Sequence, residues 1–366
     1  MTGGDMTGGD IMRGDVTGGD FASDNVTGAH PAILEAILAA NAGNAASYGA
    51  DEVTRRLEAR LGEVFERAVA VFPVISGTAA NSLAIAHFCP PWGSVICERD
   101  AHVAVDECGA PTFFSGAALS LVDGVAGRLR PEAVAARLAE TRPGDQHQMQ
   151  PAVLSLTQAT ECGTVYDPAA VAALAETARG RGLAVHMDGA RFANALAHLG
   201  CAPAEITWRA GVDVLSLGAT KNGALMAEAV VFFDPGRARD FAFRRKRAGH
   251  LVSKMRFLSA QFEAWLADDL WLRLAAHANA EAGRLAHGLA RLGRPPEWPV
   301  EANEVFVRLA PREAEGLAKA GFRFYPWGDP PPAGGFGLHR LVTAWNTDPA
   351  AVDALLATLA RLAAAA

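Results

Sequence analysis

Leu183-Ala184-Val185-His186-Met187-Asp188-Gly189-Ala190-Arg191 begins as an apolar run and closes on a carboxylate. The run Leu183–Met187 has the length of a strand, and its near-continuous hydrophobicity suits one covered on both faces. Asp188 at its end loses hydration and needs a partner. That partner is either the free N–H groups of a helix over Ala190–Leu199 or a protonated heterocyclic nitrogen. Working outward, Arg67–Ile75, Ser94–Glu98, Pro151–Leu156, Val212–Leu217 and Glu228–Phe233 are further runs of strand length. Helical stretches separate several of them. Asp167–Arg181 is alanine-rich, with Asp167 placed to cap its N-terminus and Pro168 at the first helical position. Strands alternating with helices predict an α/β fold with a mostly parallel central sheet.

Three other clusters sit where such strands end, which is where ligands bind in this architecture. Ser76-Gly77-Thr78 stands between a strand and a helix. It reads as an ordinary N-cap or as a phosphate cup, since free amides and the helix dipole favour an anion. Lys221 lies in Gly218-Ala219-Thr220-Lys221-Asn222-Gly223, a small-residue turn after the strand Val212–Leu217. A lysine held there is a surface side chain or a nucleophilic amine. His102 follows Ser94–Glu98, with Glu107 and Gly109 beyond it. It is a structural histidine, a base or a stacking platform. The order of the four clusters decides between these readings. Phosphate turn, then histidine, strand-end aspartate and loop lysine is the layout a pyridoxal-phosphate enzyme needs.

Beyond the sheet, Ala32–Ala40 and Ala50–Gly62 read as helices, and Trp271–Leu292 as a long one ending at Gly293. Glu304–Leu309, Gly321–Tyr325 and His339–Trp345 are strand-like, and Ala350–Ala364 is a last helix. We therefore expect a large domain over 21–270, with an N-terminal arm over 21–50, and a smaller α+β domain over 271–366. Residues 1–20 are the pentapeptides MTGGD, MTGGD, IMRGD and VTGGD, too glycine-rich to order cheaply, and read as a flexible acidic leader. The net charge of −7 argues against a nucleic-acid surface. No apolar stretch is long enough to span a membrane, and the opening residues lack the make-up of a secretory signal. The 5 cysteines are scattered singly, without metal-ligand spacing, as reduced thiols of a cytoplasmic protein are.

From Phe21 to about Pro349 the chain resembles the low-specificity L-threonine aldolases, enzymes of the β-eliminating lyase group. Ser23-Asp24-Asn25-Val26-Thr27, Tyr48-Gly49-Ala50-Asp51, Gly77-Thr78-Ala79-Ala80-Asn81, His102 to Gly109, His186 to Arg191 and Arg340-Leu341-Val342-Thr343 match the family's motifs in order. The resemblance implies the aspartate-aminotransferase fold, fold type I, with pyridoxal 5′-phosphate as cofactor. It implies Lys221 as the Schiff-base lysine, His102 stacked on the pyridine ring and Asp188 on its nitrogen. Ser76, Gly77 and Thr78 would hold the phosphate, with Arg191 also near the cofactor. Ser23, Arg191 and Arg340 would take the amino-acid carboxylate. Tyr48 would line the site and reach a neighbouring subunit, and Lys254 or Arg256 would reach the partner's phosphate. The implied assembly is a homotetramer, a dimer of dimers, with active sites at subunit interfaces.

The implied reaction cleaves L-β-hydroxy-α-amino acids (threonine, allo-threonine, phenylserine) to glycine and an aldehyde. Two departures stand out. Thr160 would be among the substrate-binding residues, in the place of a histidine that in many relatives approaches the substrate β-hydroxyl, leaving His102 or a water it holds as the expected base. The text around His102–Pro111 and Ala248–Gln261 is closer to the phenylserine-aldolase branch. The alternatives are a threonine transaldolase or β-eliminating lyase on the same scaffold, and more remotely a non-catalytic binding module.

Overall fold

The computed structural model describes residues 18–332 and 334–364; most of the expected leader, residues 1–17, lies outside them. Seven strands form the central sheet: β1 (Ala70–Val74), β2 (Gly93–Glu98), β3 (Ala118–Val122), β4 (Gln150–Thr157), β5 (Ala184–Gly189), β6 (Val214–Gly218) and β7 (Glu228–Phe232). Their spatial order is β1-β7-β6-β5-β4-β2-β3. Only β7 runs against its neighbours. Every residue of β2, β5, β6 and β7 is buried, as the continuous apolar runs require.

Local chemistry starts and stops the helices between strands. Asp167 Oδ1 accepts the Ala170 N–H at 2.7 Å and Pro168 opens the helix Pro168–Arg179, as expected. The expected helix at Ala190 begins two residues later, at Phe192. β3 and the helix Pro131–Ala139 escaped the sequence reading. β3 is an edge strand with mixed burial, so its pattern is weak.

A second, antiparallel sheet joins β8 (Glu304–Leu309), β9 (Tyr325–Pro326) and β10 (Gly337–Val342) in the order β9-β10-β8. The stretch Gly321–Tyr325, expected as one strand, is two. Phe322–Arg323 pairs in parallel with Gly19–Asp20, and β9 begins at Tyr325 on a different partner. The long helix Leu270–Arg291 backs this sheet. At Gly288 a Cβ would stand 2.2 Å from Leu356 Cδ1, so glycine lets the final helix, Pro349–Ala364, pack close. Phe21 is 1% exposed within the core of this smaller unit. Its backbone is tied to Arg323 and Val342, so the start of the described chain is bound to its C-terminal part.

Candidate active site

The carboxyl edge of the parallel strands gathers the expected residues. β1 leads into Ser76-Gly77-Thr78, β2 into His102, β4 into Glu161 and β6 into Lys221, while β5 carries Asp188 at its own end. The antiparallel β7 begins at this same edge with Glu228. They surround a cavity of about 420 Å³, which Ser23, Arg191 and Arg340 also line. That volume is in the range of small-molecule sites, about 300–1,000 Å³. Gly218 permits the convergence, because a Cβ there would come within 2.8 Å of Ala190 Cα.

The turn after β1 is an N-cap, and it leaves room for the anion that the sequence also allowed there. Ser76 caps the helix Gly77–Phe88, its Oγ accepting the Ala79 N–H at 3.3 Å. The first amides of that helix have no intrahelical acceptor. A Cβ on Gly77 would meet nothing within 4 Å, so the turn is open toward the cavity. An anion fits there.

Asp188 is likewise held from two sides. Its Oδ1 accepts the Ala190 N–H at 3.0 Å, and its Oδ2 accepts from Asn81 Nδ2 at 2.7 Å. Asn81 also donates to Glu107 Oε1 at 2.9 Å, and that oxygen lies 3.1 Å from His102 Nδ1. The hydrogen bond to Glu107 raises the His102 imidazole above its ordinary value, and burial raises the Glu107 carboxyl. Asn81 Oδ1 and Glu107 Oε2 are buried without partners. His186, two residues before Asp188, does not reach the cavity. It bridges Ser155 and Ser216, and burial lowers it to about 4.

The end of the cavity expected to take the amino-acid carboxylate is more crowded than the sequence suggested. Arg191 donates from Nε and Nη2 to the buried Asp24 at 2.8 and 3.1 Å, and its Nη2 lies 3.3 Å from Glu304 Oε1. Arg340 Nη1 is 3.8 Å from the same Glu304 oxygen, and its guanidinium lies 4.7 Å over the Trp327 ring. Its Nε is buried without a partner. Burial pushes Asp24 up, but Arg191 and Lys221 outweigh it and hold the carboxyl below its ordinary value. For Glu304 burial prevails and the carboxyl is raised.

Four expected residues lie apart from this cavity. Thr160 is fully buried, with its hydroxyl 2.8 Å from that of Thr164 and accepting the Thr164 and Cys162 N–H groups. It closes a turn and does not line the cavity, in contrast to its expected contact with substrate. Tyr48 is exposed, with the Lys246 ammonium 4.9 Å from its ring centre. Lys254 is exposed, and Arg256 donates to the Gly43 carbonyl at 3.2 Å. None of these three lines the cavity of its own chain.

The family described as beta-eliminating lyase matches residues 20–311. The chain belongs to that family. The low specificity L-threonine aldolase of Pseudomonas aeruginosa is 47% identical to this chain over 330 residues, 90% of this chain and 93% of the relative. One from a Pseudomonas species is 45% identical over 341 residues, 93% of this chain and 96% of the relative. The Leishmania major threonine aldolase structure superposes with a TM-score of 0.89 at 28% identity, covering 94% of this chain and 99% of that one.

Among the residues that line the cavity without having been assigned a role from sequence are Asn81, Glu107, Glu161, Glu228 and Glu304. Asn81 and Glu107 lie inside motifs quoted above, and their spacing was the available signal. Glu228 and Glu304 each open an apolar strand, where a charge is costly unless used. Glu161 carries no such pattern.

Proposed function

We propose that this chain is a pyridoxal-phosphate-dependent aldolase that cleaves L-β-hydroxy-α-amino acids to glycine and an aldehyde. The observation that carries this reading is the convergence of Lys221, Asp188 and the Gly77–Thr78 turn on one cavity. Amine, carboxylate and anion cup are the three fixtures the cofactor requires. Bound there, the cofactor supplies an electron sink for the pair released at Cα.

The side chains do the rest. Lys221 is the residue that would hold the cofactor covalently and give place to the substrate amine. Asp188, fixed by Asn81 and Ala190, would keep a proton on the ring nitrogen. His102, fixed by Glu107, would pack on the ring. Arg340, with its free Nε, takes the substrate carboxylate, and Ser23 lies beside it. Arg191 is largely satisfied by Asp24 and Glu304, and shapes the same end. Holding the carboxylate fixes rotation about Cα, so the Cα–Cβ bond is the one aligned for cleavage.

We place Tyr48, Lys254 and Arg256 at a neighbouring subunit's cavity in a homotetramer. Their position outside their own cavity supports this, as do the exposed Phe113, Phe114 and Phe243 beside Arg244 and Arg247. Among the described residues no helix is long and apolar enough to cross a membrane, and we infer a cytoplasmic enzyme. The phenylserine branch is favoured by the absence of a side chain reaching the cavity from Thr160.

The test is aldehyde release from L-threonine and L-3-phenylserine with added pyridoxal phosphate, wild type beside Lys221→Ala. Cleavage and the bound-cofactor absorbance should both vanish in the variant. Aldehyde turnover retained by Lys221→Ala would falsify the reading. Release of ammonia and a keto acid in place of glycine and aldehyde would turn it to β-elimination.

A further inference from the structure

Glu161 stands in the crevice between the loops after β2 and β4, where the strand order reverses. Its Oε1 accepts the His102 backbone N–H at 2.7 Å, which pins the carboxylate to the cavity wall. Its Oε2 is buried and has no hydrogen-bond partner. The side chain lines the same cavity as Lys221 and Asp188. A buried acceptor left unpaired is costly, and such groups cluster where a ligand or a proton completes them.

The aldolase reading needs a group to accept the β-hydroxyl proton; position 160 supplies no histidine for it, and His102, the expected base, is engaged elsewhere. Thr160 is locked into its turn with Thr164. His102 has its Nδ1 engaged by Glu107 and packs on the cofactor ring in that reading.

We propose that Glu161 is the acceptor of the β-hydroxyl proton, a role that rests on the aldolase reading. In the step, the substrate O–H bond breaks and its proton passes to Oε2. The C–O bond becomes the aldehyde C=O as Cα–Cβ breaks. The electron pair left at Cα is drawn into the cofactor's electron sink. Glu161 then loses its proton to solvent, and Cα takes one up to give glycine.

The surroundings suit such a base. Asp188 at the end of β5 and Glu304 at the start of β8 press on Glu161 with like charge, while Arg191 opposes them. The thiols of Cys97 and Cys162 are pushed up to about 12 and stay neutral. Burial, first, and then Asp188 raise the Glu161 carboxyl to about 7. It accepts a proton only when ionised, so cleavage should rise as pH passes upward through about 7.

The experiment compares holoenzyme with Glu161→Gln and Glu161→Asp. It follows cleavage across about pH 5 to 9, cofactor absorbance, and exchange of the glycine α-hydrogen for deuterium. Glutamine keeps the acceptor for the His102 N–H but cannot take a proton. We expect cleavage to fall by about 10²-fold or more in Glu161→Gln, with KM within about threefold. The rise near pH 7 should disappear from the residual rate, while cofactor absorbance and glycine exchange persist. In Glu161→Asp the rise should move and the loss be smaller. Unreduced cleavage in Glu161→Gln overturns the proposal, as does loss of glycine exchange in proportion to cleavage. Should the glutamine variant not fold, an aspartate variant with wild-type rate and pH profile overturns it equally. Wild-type protein releasing no aldehyde refutes the aldolase reading beneath it.

Discussion

Arg191 and Arg340 approach the same oxygen of Glu304 from two regions of the molecule, and their other partners differ. Arg191 follows β5 of the large sheet and is gripped through two nitrogens by Asp24 from the first described turn of the chain. Arg340 sits in the small sheet, packed on Trp327, with a buried Nε that nothing accepts. Identical side chains at one end of one cavity are thus prepared differently. The first closes an internal ion pair, and the second keeps donor capacity for a ligand. Proximity to a site does not by itself assign a role; the inventory of satisfied donors does.

The largest effect should come from Arg191→Ala. It strands Asp24 and Glu304 as buried acids, and we expect a loss of about 3–5 kcal/mol of stability in denaturant unfolding. A stable Arg191→Ala protein with collapsed kcat/KM would reverse the comparison and make Arg191 the carboxylate ligand. Next comes Arg340→Ala, which should lower kcat/KM by about 10²-fold with little change in Tm, since an oriented charge-assisted contact is worth about 1.5–3 kcal/mol. Unchanged kinetics would remove Arg340 from substrate recognition.

The two acids sharpen the contrast through pH. Asp24 is depressed in the fold, so its stabilisation is present above the unfolded value and is lost as pH falls through the folded one. Glu304 is raised, so its contribution is present below the unfolded value and lost as pH rises through the folded one. Asp24→Asn should therefore flatten the acid side of a Tm-against-pH curve, and Glu304→Gln the rising-pH side. Curves flattened on the same side would contradict the assignment of opposite directions. The smallest effect belongs to Trp327→Leu, which removes the ring under Arg340. We expect KM to rise a few-fold, reflecting about 0.5–1 kcal/mol, with kcat nearly unchanged.

Much of this was legible in the chain. The central strands announce themselves as apolar runs, and Asp188, Lys221 and the Ser76–Thr78 turn fall at their ends as expected. Local sequence carries that information because burial and strand ends are local properties. The pairings were not legible. Asp24 meets Arg191 across 167 positions, and Asn81 meets Asp188 across 107. Nothing in either neighbourhood names its partner. The resemblance to a family supplied roles for Arg191 and Thr160. The packing shows one of them satisfied by protein carboxylates and the other folded into a turn.

Phe21 lies in the core built by the C-terminal residues, and the Val342 N–H donates to its carbonyl at 2.8 Å. During synthesis the first segment therefore waits for nearly the whole chain to emerge. A ribosome-bound chain stopped before β10 would already possess Lys221 and Asp188, but neither Arg340 nor the strand that fastens Phe21. Contacts of such long range form late. The lysine assigned to the cofactor is thus made well before the arginine assigned to the amino acid, and the proposed site is complete only with the last strand.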